Sequence, residues 1–213
     1  MKVFIDSNII RHAATRYRTQ TIQFGQLEPG DPLVKRGPIQ LHSKKPHDHP
    51  GLRSEIRRLR ELSAQLKVKN ATLLMDQETL GEVKMAGGFR GEYFYRSNII
   101  VSDPPLKYDR IIGLPRHLNP GPTENHFHNF LSRLEHPRFI QLAKATGGLQ
   151  GTTSKHYNQL ADAFFLWCAE HNEADYFLTL DSKLKRCVGH SGNLGFLPAV
   201  VLPTELLSVL LNT

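Results

Sequence analysis

Residues 1–10 read MKVFIDSNII, and this stretch decides the architecture. Val3, Phe4 and Ile5 suit a strand buried on both faces, yet Asp6 closes the run with a carboxylate. An acid directly after a buried strand is a poor packing choice. The arrangement returns in DYFLTLD at 175–181, where Asp181 follows an apolar run. TLLM at 72–75 and AVVL at 199–202 are further strand-like runs. Helix-like segments follow: SNIIRHAAT after the first strand, QETLGEVKMA after the second, and TELLSVLL after Pro203. A long helix is predicted over SKHYNQLADAFFLWCAEHN, residues 154–172, just ahead of DYFLTL. Repeated strand–helix alternation predicts an α/β fold, a mainly parallel sheet covered by helices on both faces. Such sheets collect ligands outside the carboxyl ends of their strands, which is where Asp6 and Asp181 fall.

Composition bounds the rest. The 213 residues can build one domain with a sizeable core, and 39% hydrophobic content supports a folded chain. No apolar run approaches the roughly 20 residues needed to cross a bilayer, so no membrane partner is expected. The N-terminus lacks the pattern of a secretory signal, and cytoplasmic residence is the expectation. Cys168 and Cys187 have no metal-ligand spacing and read as buried free thiols.

Two stretches interrupt the alternation. From Arg16 to His49 glycine and proline recur without a sustained period, so a long loop or insertion is expected ahead of a basic helix, LRSEIRRLRELSAQLK. A proline-rich stretch from Ser102 to Pro122 precedes a helical segment, TENHFHNFLSRLEHPRFIQLAKA. The insertions thus span about 16–69 and 102–150. The net charge is +7, and Leu33 to Lys69 accounts for all of it: ten Lys and Arg against Asp48, Glu55 and Glu61. That surplus favours a polyanionic partner through phosphate contacts. Arg53, Arg57 and Arg60 form a stripe at helical spacing, opposite an apolar one of Ile56, Leu59, Leu62 and Leu66. With Arg58, Lys44 and Lys45 they are the candidate nucleic-acid contacts.

A third acid matters as much as Asp6 and Asp181. Asp162 sits in mid-helix among Leu160, Ala161, Ala163, Phe164, Phe165, Leu166 and Trp167, where capping is not available to it. Carboxylates in apolar settings call for a shared cation, the alternative being a helix cap or an ion pair for Asp6 and Asp181 and an ion pair for Asp162.

In their order these motifs resemble the PIN-domain nucleases. Asp6-Ser7-Asn8 matches the family's strand ending in Asp-x-Asn, and Glu82 best matches its glutamate two turns into a later helix. Asp162-Ala163 matches its late Asp-Ala, and Thr179-Leu180-Asp181 its strand ending Thr-x-Asp. The likeness covers residues 1–15, 70–90 and 153–211 and leaves both insertions outside it. It implies a single PIN-like domain over 1–213, a three-layer α/β/α sandwich. It also implies a metal-dependent ribonuclease that hydrolyses phosphodiester bonds of RNA with Mg²⁺ or Mn²⁺. Asp6, Glu82, Asp162 and Asp181 would be its catalytic metal ligands, and Asn8 and Thr179 supporting residues. Glu78 and Asp76 lie close to Glu82, but they also suit the first turn and N-cap of that helix. Proteins of this family often dimerise or pair with an antitoxin-like protein.

The chemistry suits such residues. Hydrolysis of a phosphodiester needs an activated water beside a repelling anion, and a divalent cation supplies both activation and neutralisation. Magnesium takes oxygen ligands, which acids provide without histidine or cysteine. A zinc site built from His42, His47, Asp48, His49, His126 and His128 would match no standard spacing. Two other functions compete. A PIN-like module that binds nucleic acid or a partner without cutting would be favoured by a missing acid, and none is missing. A metal-dependent phosphatase of another α/β class, such as the haloacid dehalogenases, would call for Asp-x-Asp after the first strand, where Asn8 stands instead.

Overall fold

A computed structural model describes residues 1–14, 16–23, 35–80, 94–108, 126–149, 154–192, 194–195 and 197–212. Five strands form the central sheet: β1 (Lys2–Ile5), β4 (Thr72–Met75), β5 (Ile99–Val101), β6 (Tyr176–Leu178) and β7 (Ala199–Val201). Their order is β5-β4-β1-β6-β7, and every pairing is parallel. From β1 the chain goes to β4 and β5 on one side, then returns to lay β6 and β7 on the other. The order therefore reverses at β1, and the crevice beyond its carboxyl end is the switch point where open α/β sheets take ligands.

Period-two alternation distributes the strand side chains between two cores. Phe4, Leu74 and Phe177 point to one face, where α3 (His126–Ser132), α4 (Pro137–Thr146) and α5 (Ser154–His171) pack. Val3, Ile5, Leu73, Met75 and Leu178 point to the other, against α1 (Ser7–Ala13), α2 (Pro50–Val68) and α7 (Pro203–Asn212). The result is a three-layer α/β/α sandwich with a mainly parallel sheet, as the alternation predicts. Phe4 and Phe177 stack across neighbouring strands at 5.5 Å. In α5 every residue from Ala163 to Ala169 is buried, which explains its nearly continuous apolar sequence. One further helix, α6 (Ser182–His190), follows β6.

Three expectations change. The stretch from Arg16 to His49 is not simply loop: β2 (Arg16–Gln23) and β3 (Lys35–Ser43) form an antiparallel two-stranded sheet of their own, with a register shift between Gln20 and Ile22. Thr19, Gln20, Ile39 and Gln40 are exposed, and the glycines and prolines of this stretch, Gly37 and Pro38 among them, hid its extended segments in the sequence. The helical segment after Pro122 contains two helices, because His136 caps a new one at Pro137. Proline at the first helical position cannot donate back to the preceding turn. Finally, β5 lies within residues that the sequence did not mark as a strand; it has three residues, and Ile100 and Val101 are exposed. The helix expected over 77–86 is seen at 77–80, and residues 81–86 lie outside the described residues.

Candidate functional site

Asp6 leaves β1 in an extended conformation and caps α1, but its side chain does more than cap. The ladder continues one residue past the strand, with Asp6 N donating to Leu178 O at 3.1 Å. Oδ2 of Asp6 accepts from Asn8 Nδ2 at 2.6 Å and from Thr179 Oγ1 at 2.7 Å. Asn8 Nδ2 also reaches Thr179 Oγ1 at 3.0 Å, and its Oδ1 accepts from Leu180 N at 3.0 Å. These partners fix the orientation of the amide, since Leu180 N requires an acceptor and Asp6 a donor. An aspartate at position 8 would repel Asp6, which gives Asn8 a physical reason. Thr179 Oγ1 further accepts from Asp181 N at 2.9 Å. One buried hydroxyl thus joins the ends of β1 and β6 and sets the backbone of Asp181.

Asp181 is exposed and caps α6, its Oδ1 accepting from Lys183 N at 2.7 Å and Leu184 N at 3.0 Å. Capping, the alternative reading for a strand-end acid, therefore holds for part of what Asp6 and Asp181 do.

Asp76 is the residue that sequence reasoning undervalued. It follows Met75 as Asp6 follows Ile5, and the register that pairs Phe4 with Leu74 sets the two acids at equivalent positions. Asp76 is 2% exposed, against 9% for Asp6. Its Oδ1 accepts from Glu78 N at 2.7 Å, and its Oδ2 lies 3.7 Å from the Cys168 sulfur on α5. Burial pushes its carboxyl above the ordinary range, although the Glu78 amide opposes this. Burial, then the nearby Asp76, pushes the Cys168 thiol well up, so the sulfur is a neutral donor. Thr79 Oγ1 and Ser102 Oγ are buried without a hydrogen-bond partner among the described residues. The signal for Asp76 was present in the sequence: TLLM-Asp repeats the strand-then-acid pattern of Asp6.

Asp162 is partly buried on α5, six residues before Cys168. Glu82 falls outside the described residues, while the nearby Glu78 accepts from the Tyr108 hydroxyl. Among the described residues no three of His, Cys, Asp and Glu gather into a ready-made metal group. Thr179 links the Asp6 carboxylate to the backbone of Asp181, and strand register sets Asp76 level with Asp6. The oxygen-only character of these acids fits a hard divalent cation in kind.

The histidines have local roles. His42 Nε2 pairs with Thr19 Oγ1 at 2.8 Å, His47 Nδ1 accepts from His49 N at 3.1 Å, and His49 caps α2. His126 and His128 lie on α3, where His128 stacks on Tyr157 at 4.9 Å. Of the basic candidates, Arg57 and Arg60 are exposed on α2 and Arg58 pairs with Glu61 at 2.9 Å. Arg53 turns back to the carbonyls of His47 and Asp48 at 2.8 and 3.3 Å. Lys44 donates to Arg11 O, and Lys45 is exposed. No described helix is long and apolar enough to cross a membrane. No model of a known protein family matches the chain, and no curated protein matches it.

Proposed function

We propose that this protein is a metal-dependent ribonuclease built on the PIN-like plan. The observation that carries this reading is the bonded unit of Asp6, Asn8, Thr179 and the Asp181 backbone at the switch point of the sheet. Asp6 and Asp181 would hold Mg²⁺ or Mn²⁺ together with Asp162 and Glu82. Such an ion supplies activation of water and neutralisation of charge on the phosphate. The chain's own residues do the rest. Asn8 and Thr179 aim Asp6 by bonding its Oδ2, so its position is set before substrate arrives and costs no reorganisation. The exposed Arg57 and Arg60 of α2 hold the strand through its phosphates, in keeping with the basic surplus between Leu33 and Lys69.

The test offers labelled RNA, single-stranded DNA and duplex DNA to the protein with Mg²⁺, Mn²⁺ or EDTA, beside the Asp6→Asn variant. The expected result is cleavage of RNA that EDTA abolishes and Asp6→Asn lowers by about two orders of magnitude or more. Equal cleavage by the variant would trace the activity to a contaminant and overturn the reading. Binding without cleavage under every condition would leave a nucleic-acid-binding module instead.

A further inference from the structure

Helix α1 begins at the acid site and ends in a crowd of cations. Arg11 and His12 stand in its last turn, and the segment between β3 and α2 brings Lys44 and His47 against them. Lys44 Nζ donates to the Arg11 carbonyl, and the His12 and His47 rings meet edge-on at 5.6 Å. Arg53, in the first turn of α2, buttresses the segment by bonding the His47 and Asp48 carbonyls. The bonds that place Lys44 and Arg53 end on main-chain carbonyls rather than carboxylates. The acids of α2 are engaged elsewhere, Glu55 with Thr204 at 2.9 and 2.7 Å and Glu61 with Arg58.

We propose that Arg11, His12, Lys44 and His47 form a binding site for a phosphate group of a nucleic-acid strand, separate from the acid site. The identity of the strand rests on the ribonuclease reading, while the phosphate chemistry follows from the cluster itself. Six residues separate Asp6 from His12, about 9 Å along the helix at roughly 1.5 Å per residue. A strand passing the acids therefore has a second phosphate within reach of the cations. His47 is set to donate: with Nδ1 accepting from His49 N, the proton of the neutral ring sits on Nε2. Burial, then His47, Lys44 and Arg11, push His12 below its ordinary value of 6.5. Partial burial and then Arg11 likewise lower the Lys44 ammonium. Among the described residues burial and like charges alone act on His12 and Lys44, and a phosphate set beside them relieves that repulsion. His12 thereby takes up a proton when the strand binds, so binding strengthens as the pH falls toward its lowered value in the free protein. In the free protein the sign is opposite: stability from neutral His12 is present above pH 6.5 and is lost as the pH falls through its lowered folded value.

A helix C-terminus also favours cations for structural reasons, and the experiment separates the two roles. A labelled uridine oligonucleotide is titrated in EDTA on the uncleaving Asp6→Asn background, alone and with Arg11→Gln plus Lys44→Gln. Phosphate binding predicts a log-log salt slope flatter by about 0.7, the value for one phosphate no longer neutralised on a single strand. Restoring the charge at position 44 with Lys44→Arg should recover part of it. The His12 ring, followed by NMR through a pH titration, should titrate higher with the oligonucleotide than without it. An unchanged slope, or a lower melting temperature with unchanged binding, assigns the cluster to capping α1 and overturns the proposal. So does a His12 titration that inorganic phosphate raises as far as the oligonucleotide does at equal phosphate, since a strand is then not what the site selects. Because the assay reads binding without cleavage, it can fail while the nuclease reading stands, and the reverse.

Discussion

Thr179→Val tests the centre of the acid site without reference to its activity. The substitution keeps the shape of the side chain and removes one hydroxyl, which is fully buried and makes three hydrogen bonds. The bond to the Asp6 carboxylate is charge-assisted, about 1.5 to 3 kcal/mol, and the other two are worth about 1 kcal/mol each. Asp6 Oδ2 keeps its 2.6 Å bond from Asn8, so it is not stranded. The new methyl gains about 0.8 kcal/mol of burial. The net expectation is a loss of about 3 to 4 kcal/mol, a fall in melting temperature of about 6–16 °C for a chain of this size. Urea unfolding in EDTA measures it, with Thr179→Ser as the variant that keeps the hydroxyl and loses less of the bonding. A loss below about 0.5 kcal/mol for Thr179→Val would mean that the hydroxyl does not join β1 to β6, and the proposed role of Thr179 in the site would fail with it.

Two further predictions concern the surface. Arg57→Gln with Arg60→Gln should leave folding intact, since glutamine is a good helix former, yet flatten the salt dependence of RNA binding by about 0.7 for each phosphate these arginines neutralise; a salt titration with unchanged slope would remove the α2 stripe from the strand's path. Glu205 accepts from Leu202 N at 2.9 Å and pairs with Lys185; burial alone would raise its carboxyl, but these partners hold it below its ordinary 4.5. Its stabilising contribution is therefore present above pH 4.5 and lost as the pH falls through the lowered folded value, so Glu205→Gln should cost about 0.5 to 1 kcal/mol near neutrality and nothing in strong acid, read from urea midpoints across pH.

The strands at the heart of the sheet were legible because burial on both faces forces apolar runs. TLLM is β4 residue for residue, and KVFI is β1. The two-stranded sheet of β2 and β3 was not legible, since it is a sheet of its own, none of its described side chains enters either core, and glycine and proline recur along the stretch. Asp6 and Asp181 could be picked out from their own few neighbours in the chain, and Asn8 and Thr179 from the resemblance of their motifs to those of a known family. What they do to one another was not local: Thr179 reaches Asp6 across 173 positions, and the bond exists because β6 pairs with β1 in the register that sets Ile5 opposite Leu178. The same holds for Asp76. A sequence window sees a residue suited to cap a helix, and it is the pairing of β4 with β1 that sets this carboxyl level with Asp6, in a buried place that raises it. A side chain's preference for a strand end is written in its neighbours, whereas its charge state and partners depend on which strands lie alongside, and only the packing of the whole chain decides that.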